Sequence, residues 1–377
     1  MWRWSNIPLA LWLSAAAAGQ TSDPGQAIRI DLAPDAPVAL VSADLGESRT
    51  SARGGAIVID LRLALTLKNT SASRIRGVTM LVSAQEVTPG GRGSVAAPCL
   101  DIAPGDVFPL RIDLRLLRPL QGAAAGPLVR VGLDGVLFED LSFYGPNRLD
   151  SRRTLTAWEM EARRDRLYFQ SVLTAGGPDG LREEVLRALA RQRSRPRLDV
   201  EVARRAPAVG AAASATAARQ VRFAFAQFDG APVVPVDGSA EVGAGEIRSP
   251  RISVRNDSRE PVRYYELGWI VRDAQGQEYA MASVPAPRQS LAPGASATAA
   301  PDTALRFRDS VQVAGMTGFV SQVEFADGRV WVPSRNHLAQ AQLLHAAPPS
   351  AEEQRLLDLY RKKGLPALIE ELRKLVP

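Results

Sequence analysis

The chain has 377 residues, of which 46% are hydrophobic and 23% are charged, so it is long and apolar enough to bury a full core and to form two or three domains. This composition excludes a chain that is disordered throughout. The formal net charge is +6 and there is a single cysteine, which excludes a framework of intramolecular disulfides as the source of stability.

The first element in chain order is a predicted signal peptide over residues 1–18. It has a positive charge at Arg3, an apolar run over residues 7–13 and an Ala-x-Ala pattern that ends at Ala18, an order typical of secretory signals cleaved near that point. A membrane anchor is the alternative, but the run is shorter than the roughly 20 residues that a spanning helix needs. No later stretch of the sequence is long and apolar enough to cross a bilayer, so we expect a periplasmic or secreted protein without an integral membrane segment.

Alternating runs of apolar and polar residues flank Asn-Thr-Ser at residues 69–71, and similar runs flank Asn-Asp-Ser at residues 256–258. Alternation with a period of two predicts half-buried strands. Asn and Ser favour turns, because their side chains bond to nearby backbone groups. Each triplet therefore predicts a strand, a polar turn and a second strand.

Further matches follow in the same order. Ala-Pro-Gly at residues 103–105 recurs at 292–294, and a helix-like Leu-x-Glu-Glu pattern at residues 181–185 recurs at 368–372. Pro and Gly together fix tight turns. The offset between the two Asn-x-Ser triplets equals the offset between the two helical patterns, and the offset between the Ala-Pro-Gly turns is nearly the same. Matches that keep both their order and their offset predict a duplicated unit.

The sequence thus predicts a mainly β protein with α-helices, in which tandem immunoglobulin-like antiparallel β-sandwiches are each followed by a two-helix hairpin. The expected segments are residues 28–149 for the first sandwich, 150–195 for the first hairpin, 204–220 for a low-complexity linker, 221–346 for the second sandwich and 350–377 for the second hairpin. Gly176-Gly177 and Gly364 are predicted to end the first helix of each hairpin and so to separate its two helices. The alternating residues 197–202 predict an extra strand before the linker.

The order of strand, Asn-x-Ser turn, strand and Ala-Pro-Gly turn resembles the immunoglobulin-like sandwiches of the FxLYD and CARDB type found in bacterial envelope proteins. The resemblance covers about 50 residues of each copy. It implies a module that serves as an adhesive, a spacer or a unit that presents a ligand. The helical hairpins lie outside that family pattern.

The chain has two histidines, His337 and His345, and neither lies in a His-Glu-x-x-His or similar metal-binding spacing. A Ser-His-Asp site that uses one of them stays open, because such triads assemble in space, although no Gly-x-Ser-x-Gly motif supports it. We interpret both as surface residues. We expect no metal, no cofactor and no catalytic residue, with a hydrolase that uses His337 or His345 as the enzymatic alternative.

Carboxylate pairs are the other candidates for acid–base chemistry. Residues 139–140, Glu-Asp, lie in a strand-like run, where neighbours point to opposite faces. The Glu-Glu pairs at residues 183–184 and 370–371 lie on predicted helices, where we expect a solvated face. A structural role is the interpretation for all three pairs.

Four aromatic residues could form a platform for carbohydrate: Tyr264, Tyr265, Trp269 and Trp331. Tyr265 and Trp269 correspond to apolar strand positions in the first copy, which predicts a core location. Tyr264 lies on the opposite face of the strand with Glu266. Tyr264 is therefore predicted to be exposed to solvent and is the binding candidate for the carbohydrate alternative.

The last predicted helix carries an apolar stripe at Leu368, Leu372 and Leu375, with spacings of four and three residues. One interpretation is that the stripe packs against the rest of the chain, because short isolated helices are marginal in water. The other is that it is a docking surface for a second protein or a second chain. Both interpretations stay open at this point.

Two features have plain structural interpretations. Residues 151–205 contain 13 arginines against 8 acidic residues, but Glu159, Glu161 and Asp165 interleave with them, which favours ion pairs on the helix surface over binding to nucleic acid or anionic lipid. Cys99 is predicted to be a small core residue, with an intermolecular disulfide or a nucleophile as the alternatives.

The expected function is that of an exported, non-enzymatic structural or protein-interaction protein, either a scaffold or an adhesive. Its partner would be an unknown envelope or extracellular protein, and export removes nucleic acid as a partner. A carbohydrate-binding module and, less favoured, a hydrolase are the alternatives.

Overall fold

The computed structural model describes residues 28–85, 90–120, 127–196, 200–204, 219–243, 246–285, 290–300, 303–307 and 311–374. Over these residues the protein is mainly β, with several sheets and with α-helices, so the predicted β-rich class is confirmed. The predicted signal peptide, most of the predicted linker and Leu375 lie outside the described residues.

The strands in chain order are β1 (Ile28–Asp31), β2 (Val38–Asp44), β3 (Arg49–Arg53), β4 (Ala56–Asn69), β5 (Ile75–Ser83), β6 (Arg92–Ala97), β7 (Val107–Pro119), β8 (Val129–Phe138), β9 (Phe143–Tyr144), β10 (Val200–Arg204), β11 (Arg219–Arg222), β12 (Ala224–Phe225), β13 (Val233–Gly243), β14 (Glu246–Asn256), β15 (Val262–Asp273), β16 (Glu278–Pro285), β17 (Ser296–Ala299), β18 (Thr303–Phe307), β19 (Val313–Phe325) and β20 (Val330–Trp331). The helices are α1 (Ser151–Ser194), α2 (Arg335–Gln340) and α3 (Ala351–Lys374).

The first of two compact units takes its residues from Met1–Lys68, Met80–Val95 and Val107–Leu133. In its sheet, β4 lies next to β2 and β3 and pairs with β7 in antiparallel register. Alternate leucines of β4 face the core and are at most 2% exposed; they are Leu61, Leu63, Leu65 and Leu67. The alternation that predicted this strand is therefore the alternation of buried and outward side chains.

The second unit takes its residues from Asn69–Thr79, Ala96–Asp106 and Asp134–Pro377. Within its described residues, one sheet has the order β10-β18-β14-β13-β11 with β17 on β14, and another has the order β12-β19-β15-β16 with β20 on β19. A single hydrophobic cluster takes side chains from both sheets, among them Val254 and Trp269. The end of β8 pairs with β9 in antiparallel register, with Val136 opposite Tyr144.

The extra strand predicted over residues 197–202 corresponds to β10. It pairs with β18 in antiparallel register, with Val200 opposite Phe307 and Arg204 opposite Thr303. The prediction of a strand ahead of the linker is confirmed, with its start moved to Val200.

Asn69 and Asn256 each make the same set of side-chain hydrogen bonds, which we call the asparagine bracket. The side-chain NH₂ of Asn69 donates to the carbonyl oxygens of Ser73 (2.9 Å) and Ile102 (3.1 Å), and its Oδ1 accepts from the backbone N and the hydroxyl of Ser71. Asn256 bonds in the same way to Glu260 (2.9 Å), Leu291 (3.0 Å) and Ser258.

Both asparagines are fully buried, and each is also tied by backbone bonds to the following Ala-Pro-Gly turn: the carbonyl oxygen of Asn69 accepts from the backbone N of Gly105, and that of Asn256 from the backbone N of Gly294. The polar turns predicted from sequence are therefore confirmed. Each one joins a strand end to a second turn through a buried amide.

Helices α1 and α3 are each interrupted at one glycine. Gly177 has φ 61° and ψ −163°, and Gly364 has φ 79° and ψ −178°. Glycine adopts positive φ without a steric penalty, which a side chain would incur. The predicted breaks at these two glycines are confirmed, so each helix consists of two helical segments.

The helical segments pack on one another through a shared apolar cluster. Its members at the centre are at most 1% exposed; they are Phe169, Leu181, Val185, Leu356, Leu357, Leu368 and Leu372. Helices of this length are marginal alone in water. Burial of these side chains against α1 therefore stabilises α3, and the interpretation of the stripe as packed is the one that the fold supports.

Two local expectations need correction. Glu139 and Asp140 lie in a turn after β8 and not in a strand, because Asp140 Oδ1 accepts hydrogen bonds from the backbone N and the hydroxyl of Ser142 and so bends the chain. Cys99 is half-buried and not fully in the core. Burial, with the nearby Glu352 and Glu159 charges, raises the pKa of its thiol to about 12, which disfavours a thiolate nucleophile at neutral pH.

The Asn256 bracket predicts a stability effect. Asn256→Ala removes an amide and leaves the buried carbonyl group of Leu291, the partly buried carbonyl group of Glu260 and the backbone N–H of Ser258 without this partner. We therefore expect a loss of about 1–3 kcal/mol in the free energy of unfolding, measured by urea denaturation followed by circular dichroism. The matched control is Asn336→Ala, an exposed asparagine on α2, for which we expect a change within about 0.5 kcal/mol. Equal effects of the two substitutions would contradict the bracket.

Candidate functional site

Arg335 is the first residue of α2 and is 6% exposed. Its position is fixed by a capping box: Ser334 Oγ accepts from the backbone N of His337 (3.1 Å), and His337 Nδ1 accepts from the backbone N of Ser334 (3.2 Å). This reciprocal pair satisfies donors that a helix N-terminus otherwise leaves open. The guanidinium of Arg335 is thereby directed into the protein.

Three carboxylates surround this buried guanidinium. Arg335 Nη1 lies 2.9 Å from Glu353 Oε2 and 3.2 Å from Asp165 Oδ1, and Nη2 lies 3.9 Å from Glu184 Oε1. The guanidinium carbon lies 4.3 Å from the centre of the Tyr168 ring, within the range of a cation–π contact. Arg335 therefore joins α2 to both segments of α1 and to the start of α3.

Asp165 is held by two arginines. Arg164 binds both oxygens of this carboxylate, with Nε–Oδ1 at 3.0 Å and Nη2–Oδ2 at 3.1 Å, and its Nη1 donates to the carbonyl oxygen of Pro333 (3.1 Å). Burial alone would raise the pKa of Asp165; the hydrogen bonds and charges of Arg164 and Arg335 outweigh that effect and hold the pKa below its ordinary value. Asp165 is therefore an ionised, fully buried carboxylate.

A second set of ion pairs links α1 to α3. Arg166 Nη2 donates to Glu159 Oε1 at 2.6 Å, and its Nη1 lies 3.8 Å from Glu352 Oε2. Arg355 binds both oxygens of Glu352, at 2.9 and 2.8 Å. The side chains of Glu159 and Glu352 are at most 1% exposed.

These contacts correct the expectation for the arginine-rich helix. Pairing between arginines and interleaved acids is present, but Glu159, Asp165 and Arg166 are buried and not on the helix surface. The solvated face expected for Glu184 is also wrong, since this residue is 5% exposed and pairs with Arg191 at 3.0 Å. The reason is that α3 and the segment around α2 cover this side of α1.

A small cavity of about 30 Å³ lies beside Arg335. Its polar lining consists of Arg164, Arg191, Gln192, Arg195, Arg335, His345, Ser350 and Glu353. Arg335 Nε and Gln192 Nε2 are buried donor atoms with no hydrogen-bond partner. Such a place can accommodate acceptor atoms.

Tyr264, the predicted exposed aromatic, is 6% exposed. The guanidinium carbon of Arg153 lies 3.8 Å from the centre of its ring, and its hydroxyl donates to Glu266 at 3.0 Å. Burial, together with the Glu266 charge, raises the pKa of this phenol. The expected exposure is wrong because α1 covers this face of β15.

The other carbohydrate candidates are not exposed either. Tyr265 and Trp269 are 2% and 3% exposed and belong to the core, as predicted. Trp331 is half-buried against Phe228, with ring centres 6.3 Å apart. These four rings do not form an open aromatic surface.

The docking interpretation of the leucine stripe is not supported by the side chains that the structure describes. Leu368 and Leu372 have no exposed surface and lie in the cluster between α1 and α3. Leu375 lies outside the described residues.

The two histidines have separate surroundings. His337 is half-buried and stacks on Phe228, with ring centres 5.4 Å apart and planes 13° apart. His345 is exposed, as predicted, and its Nε2 lies 2.8 Å from Glu278 Oε2. His345 lines the cavity, as does Ser350, whose Oγ accepts from the backbone N of Glu353 at 3.0 Å.

Among the described residues, no group of three or more His, Cys, Asp or Glu side chains is placed to hold a metal ion. No helix in the same residues combines the length and the apolar character that a membrane span requires.

Sequence reasoning missed Arg335, Glu352 and Glu353 as members of a site. The two glutamates fit an ordinary acidic first turn of a helix, and Arg335 follows a short loop. One signal was present: Glu352 follows Asp165 at the same offset that separates Asn256 from Asn69, and both carboxylates are fully buried.

No family model and no curated protein matches the chain. Among solved structures, a β-glucosidase from Kluyveromyces marxianus aligns over 74% of this chain and 45% of its own length, with 9% identity and a TM-score of 0.16. Red sea bream transglutaminase aligns over 76% of this chain and 31% of its own length, with 10% identity and a TM-score of 0.12. The chain thus spans less than half the length of either protein, and neither likeness carries an argument about fold or function.

The Arg335 site predicts a large stability effect. Arg335→Met keeps much of the side-chain volume but leaves Asp165 and Glu353 buried without this partner, so we expect a loss of about 3–5 kcal/mol in the free energy of unfolding, measured by urea denaturation. Arg361→Met is the control, because Arg361 pairs with Asp358 on the exposed face of α3 and should contribute at most about 0.5 kcal/mol. A small effect at Arg335 would show that its pairs are not needed.

The lowered pKa of Asp165 predicts an acid dependence. Its folded-state pKa lies below the ordinary value of 3.8, so the stability that it contributes is present above that pH and is lost as the pH falls through the folded-state pKa. We expect the difference in unfolding free energy between the wild type and Asp165→Asn to be large at pH 7 and to shrink below pH 3.8. Denaturation series from pH 7 to pH 2 measure it, and a constant difference would contradict the assignment.

Proposed function

We propose that this protein is an exported, non-enzymatic structural or protein-interaction protein, built from a duplicated unit of an immunoglobulin-like β-sandwich followed by two helical segments. The modules resemble the FxLYD and CARDB type. The proposal has three parts: the duplication, the structural role and the export.

The matching asparagine brackets support the duplication. Asn69 and Asn256 make the same set of side-chain bonds, with corresponding distances that agree within 0.1 Å. Gly177 and Gly364 have the same unusual backbone conformation and are separated by the same offset as the two asparagines. In both halves a short strand pairs in parallel, β1 with β8 and β12 with β19.

The pairing of charges supports a structural role, and it is the observation that carries the proposal. Arg335 and Arg166 are each matched by a carboxylate from a distant part of the chain, Asp165 and Glu352, and Arg164 is matched by the neighbouring Asp165. Charged groups that neutralise one another fix the positions of helices. A catalytic site instead directs its charged groups at a substrate.

The sequence supports export through Arg3, the apolar run and the Ala-x-Ala pattern before residue 19. These residues lie outside those that the structure describes. An exported scaffold implies an envelope or extracellular protein as the partner, with the exposed faces of the strands as the contact area.

The proposal is tested on the native protein. We expect mass spectrometry of the mature chain to give an N-terminus near Gly19, and we expect cross-linking in intact cells to join the protein to an envelope or extracellular protein. An intact Met1 in a cytoplasmic fraction would contradict export.

The hydrolase alternative has its own test, motivated by His345 and Ser350 at one cavity. Purified protein would be assayed on ester, peptide and glycoside substrates beside His345→Ala and His337→Ala. The structural role predicts equal background rates for all three proteins. Turnover that a histidine substitution abolishes would replace our proposal with an enzyme.

A further inference from the structure

Five aspartates in the chain are followed directly by a glycine: Asp134, Asp179, Asp229, Asp237 and Asp327. In such a step the backbone N of the glycine can attack the aspartate side chain, because glycine has no side chain that hinders the approach. The attack needs a carboxyl group and a backbone N–H that are both free of other bonds. The fold therefore decides which of the five steps can react.

Three of these aspartates are buried or lie in regular structure. Asp134 has no exposed surface, and its carboxylate accepts from the backbone N of Arg148 at 2.9 Å. Asp179 lies in a helical segment of α1, and Asp237 lies in β13, which is hydrogen-bonded to β11 and β14. Helix and strand geometry fix the backbone torsion angles, so the glycine N at these steps is held away from the aspartate side chain.

Asp327 lies in an exposed turn, but both of its carboxylate oxygens are bonded. Its Oδ1 accepts from the backbone N of Arg329 at 2.9 Å, and its Oδ2 accepts from Arg329 Nε at 2.6 Å. The backbone N of Gly328 donates to the carbonyl oxygen of Phe325 at 3.0 Å. Both reacting groups of this step are therefore engaged.

The turn at Asp229 and Gly230 differs in both respects. It joins β12 to β13 and is closed by a hydrogen bond from the backbone N of Ala231 to the carbonyl oxygen of Phe228 at 3.1 Å. Asp229 and Gly230 are both exposed. Among the residues that the structure describes, neither the Asp229 carboxylate nor the backbone N of Gly230 makes a hydrogen bond or an ion pair. Both reacting groups of this step are therefore free.

We propose that Asp229 is a site of covalent modification, at which aspartate converts to isoaspartate. The backbone N of Gly230 forms a bond to Cγ of Asp229, and the carboxyl hydroxyl leaves as water with the proton of that N. Water then adds to the α-carbonyl carbon of the five-membered imide ring, the bond from this carbon to the Gly230 N breaks, and the N regains a proton. The water released in the first step balances the water consumed in the second, so no further reagent is needed.

The modification acts on the packing beneath α2. Phe228, next to Asp229, is 7% exposed and stacks on His337, with ring centres 5.4 Å apart. An isoaspartate link adds a carbon atom to the main chain, so the turn no longer holds Phe228 in the same position. His337 belongs to the capping box of α2, the helix that begins at Arg335. The inference goes beyond the structural role proposed above, and either can fail while the other stands.

The test incubates the full chain at neutral pH, folded in buffer and unfolded in urea. Peptide mapping with electron-transfer fragmentation then measures isoaspartate at each of the five steps. In urea we expect similar rates at all five. In the folded chain we expect isoaspartate to form at Asp229 at least about tenfold faster than at Asp327, because the Asp327 carboxylate must first lose a charged hydrogen bond, which has at least that effect.

Three results of the mapping would overturn the proposal: even formation over the five steps of the folded chain, more isoaspartate at any other step than at Asp229, or none at Asp229 while the unfolded chain reacts.

A matched variant tests the effect on the fold. Asp229→Glu keeps the charge, but its longer side chain would have to close a six-membered ring, which forms more slowly. We expect the thermal midpoint to fall on incubation of the wild type and to stay unchanged in Asp229→Glu. Asp179→Glu is the control, because the Asp179 side chain is 93% exposed, and it should behave like the wild type. An equal fall in the wild type and Asp229→Glu would assign the loss to another site and contradict the proposal.

Discussion

A buried guanidinium needs negative charges beside it, and the buried guanidinium of Arg335 sets this constraint on the structure. It is 6% exposed, so it cannot take its place unless Asp165 from α1 and Glu353 from α3 take theirs. Removal of one partner would leave an uncompensated charge away from water. The segment after β20 and the two long helices are therefore positioned together or not at all. Well-packed apolar side chains in place of a buried ion pair often leave stability unchanged or raise it, so the pairs themselves are weak evidence for net stability.

The apolar cluster and the ion pairs make different contributions to the packing of the helices. Burial of side chains such as Phe169 and Leu368 supplies most of the stabilisation, because each contributes roughly 1.5–3 kcal/mol, but apolar contacts tolerate a shift along the helix axis. The ion pairs of Arg335 and Arg166 do not tolerate such a shift, because hydrogen bonds require a narrow range of donor–acceptor distances. A third contact, Arg153 over the ring of Tyr264, fixes the beginning of α1 against β15.

Local rules were sufficient for the strands, the turns and the helix breaks. Alternation placed β4, the Asn and Ser residues placed the polar turns, and Gly177 marked a break, because each of these depends on a few neighbouring residues. The prediction that Tyr264 is exposed was wrong, because it depends on distant residues. Alternation tells on which face of the strand a side chain lies but not which helix covers that face. The members of the charge network lie far apart in the sequence, as Asp165 and Arg335 do, and an arginine that will be buried has no local signature.

Arg148 and Arg335 show how equivalent positions differ. They are separated by the same offset as Asn69 and Asn256 and lie in Pro-Asn-Arg and Pro-Ser-Arg, yet Arg148 is exposed and Arg335 is buried. In the first half the connection from strand to helix is held by the buried carboxylate of Asp134, which accepts from the backbone N of Arg148 (2.9 Å) and from the Ser151 hydroxyl. The same offset relates Asp134 to Ser321, which lacks that charge. In the second half the buried guanidinium of Arg335 holds the corresponding connection. A buried positive charge there has the role that the buried negative charge of Asp134 has in the first half.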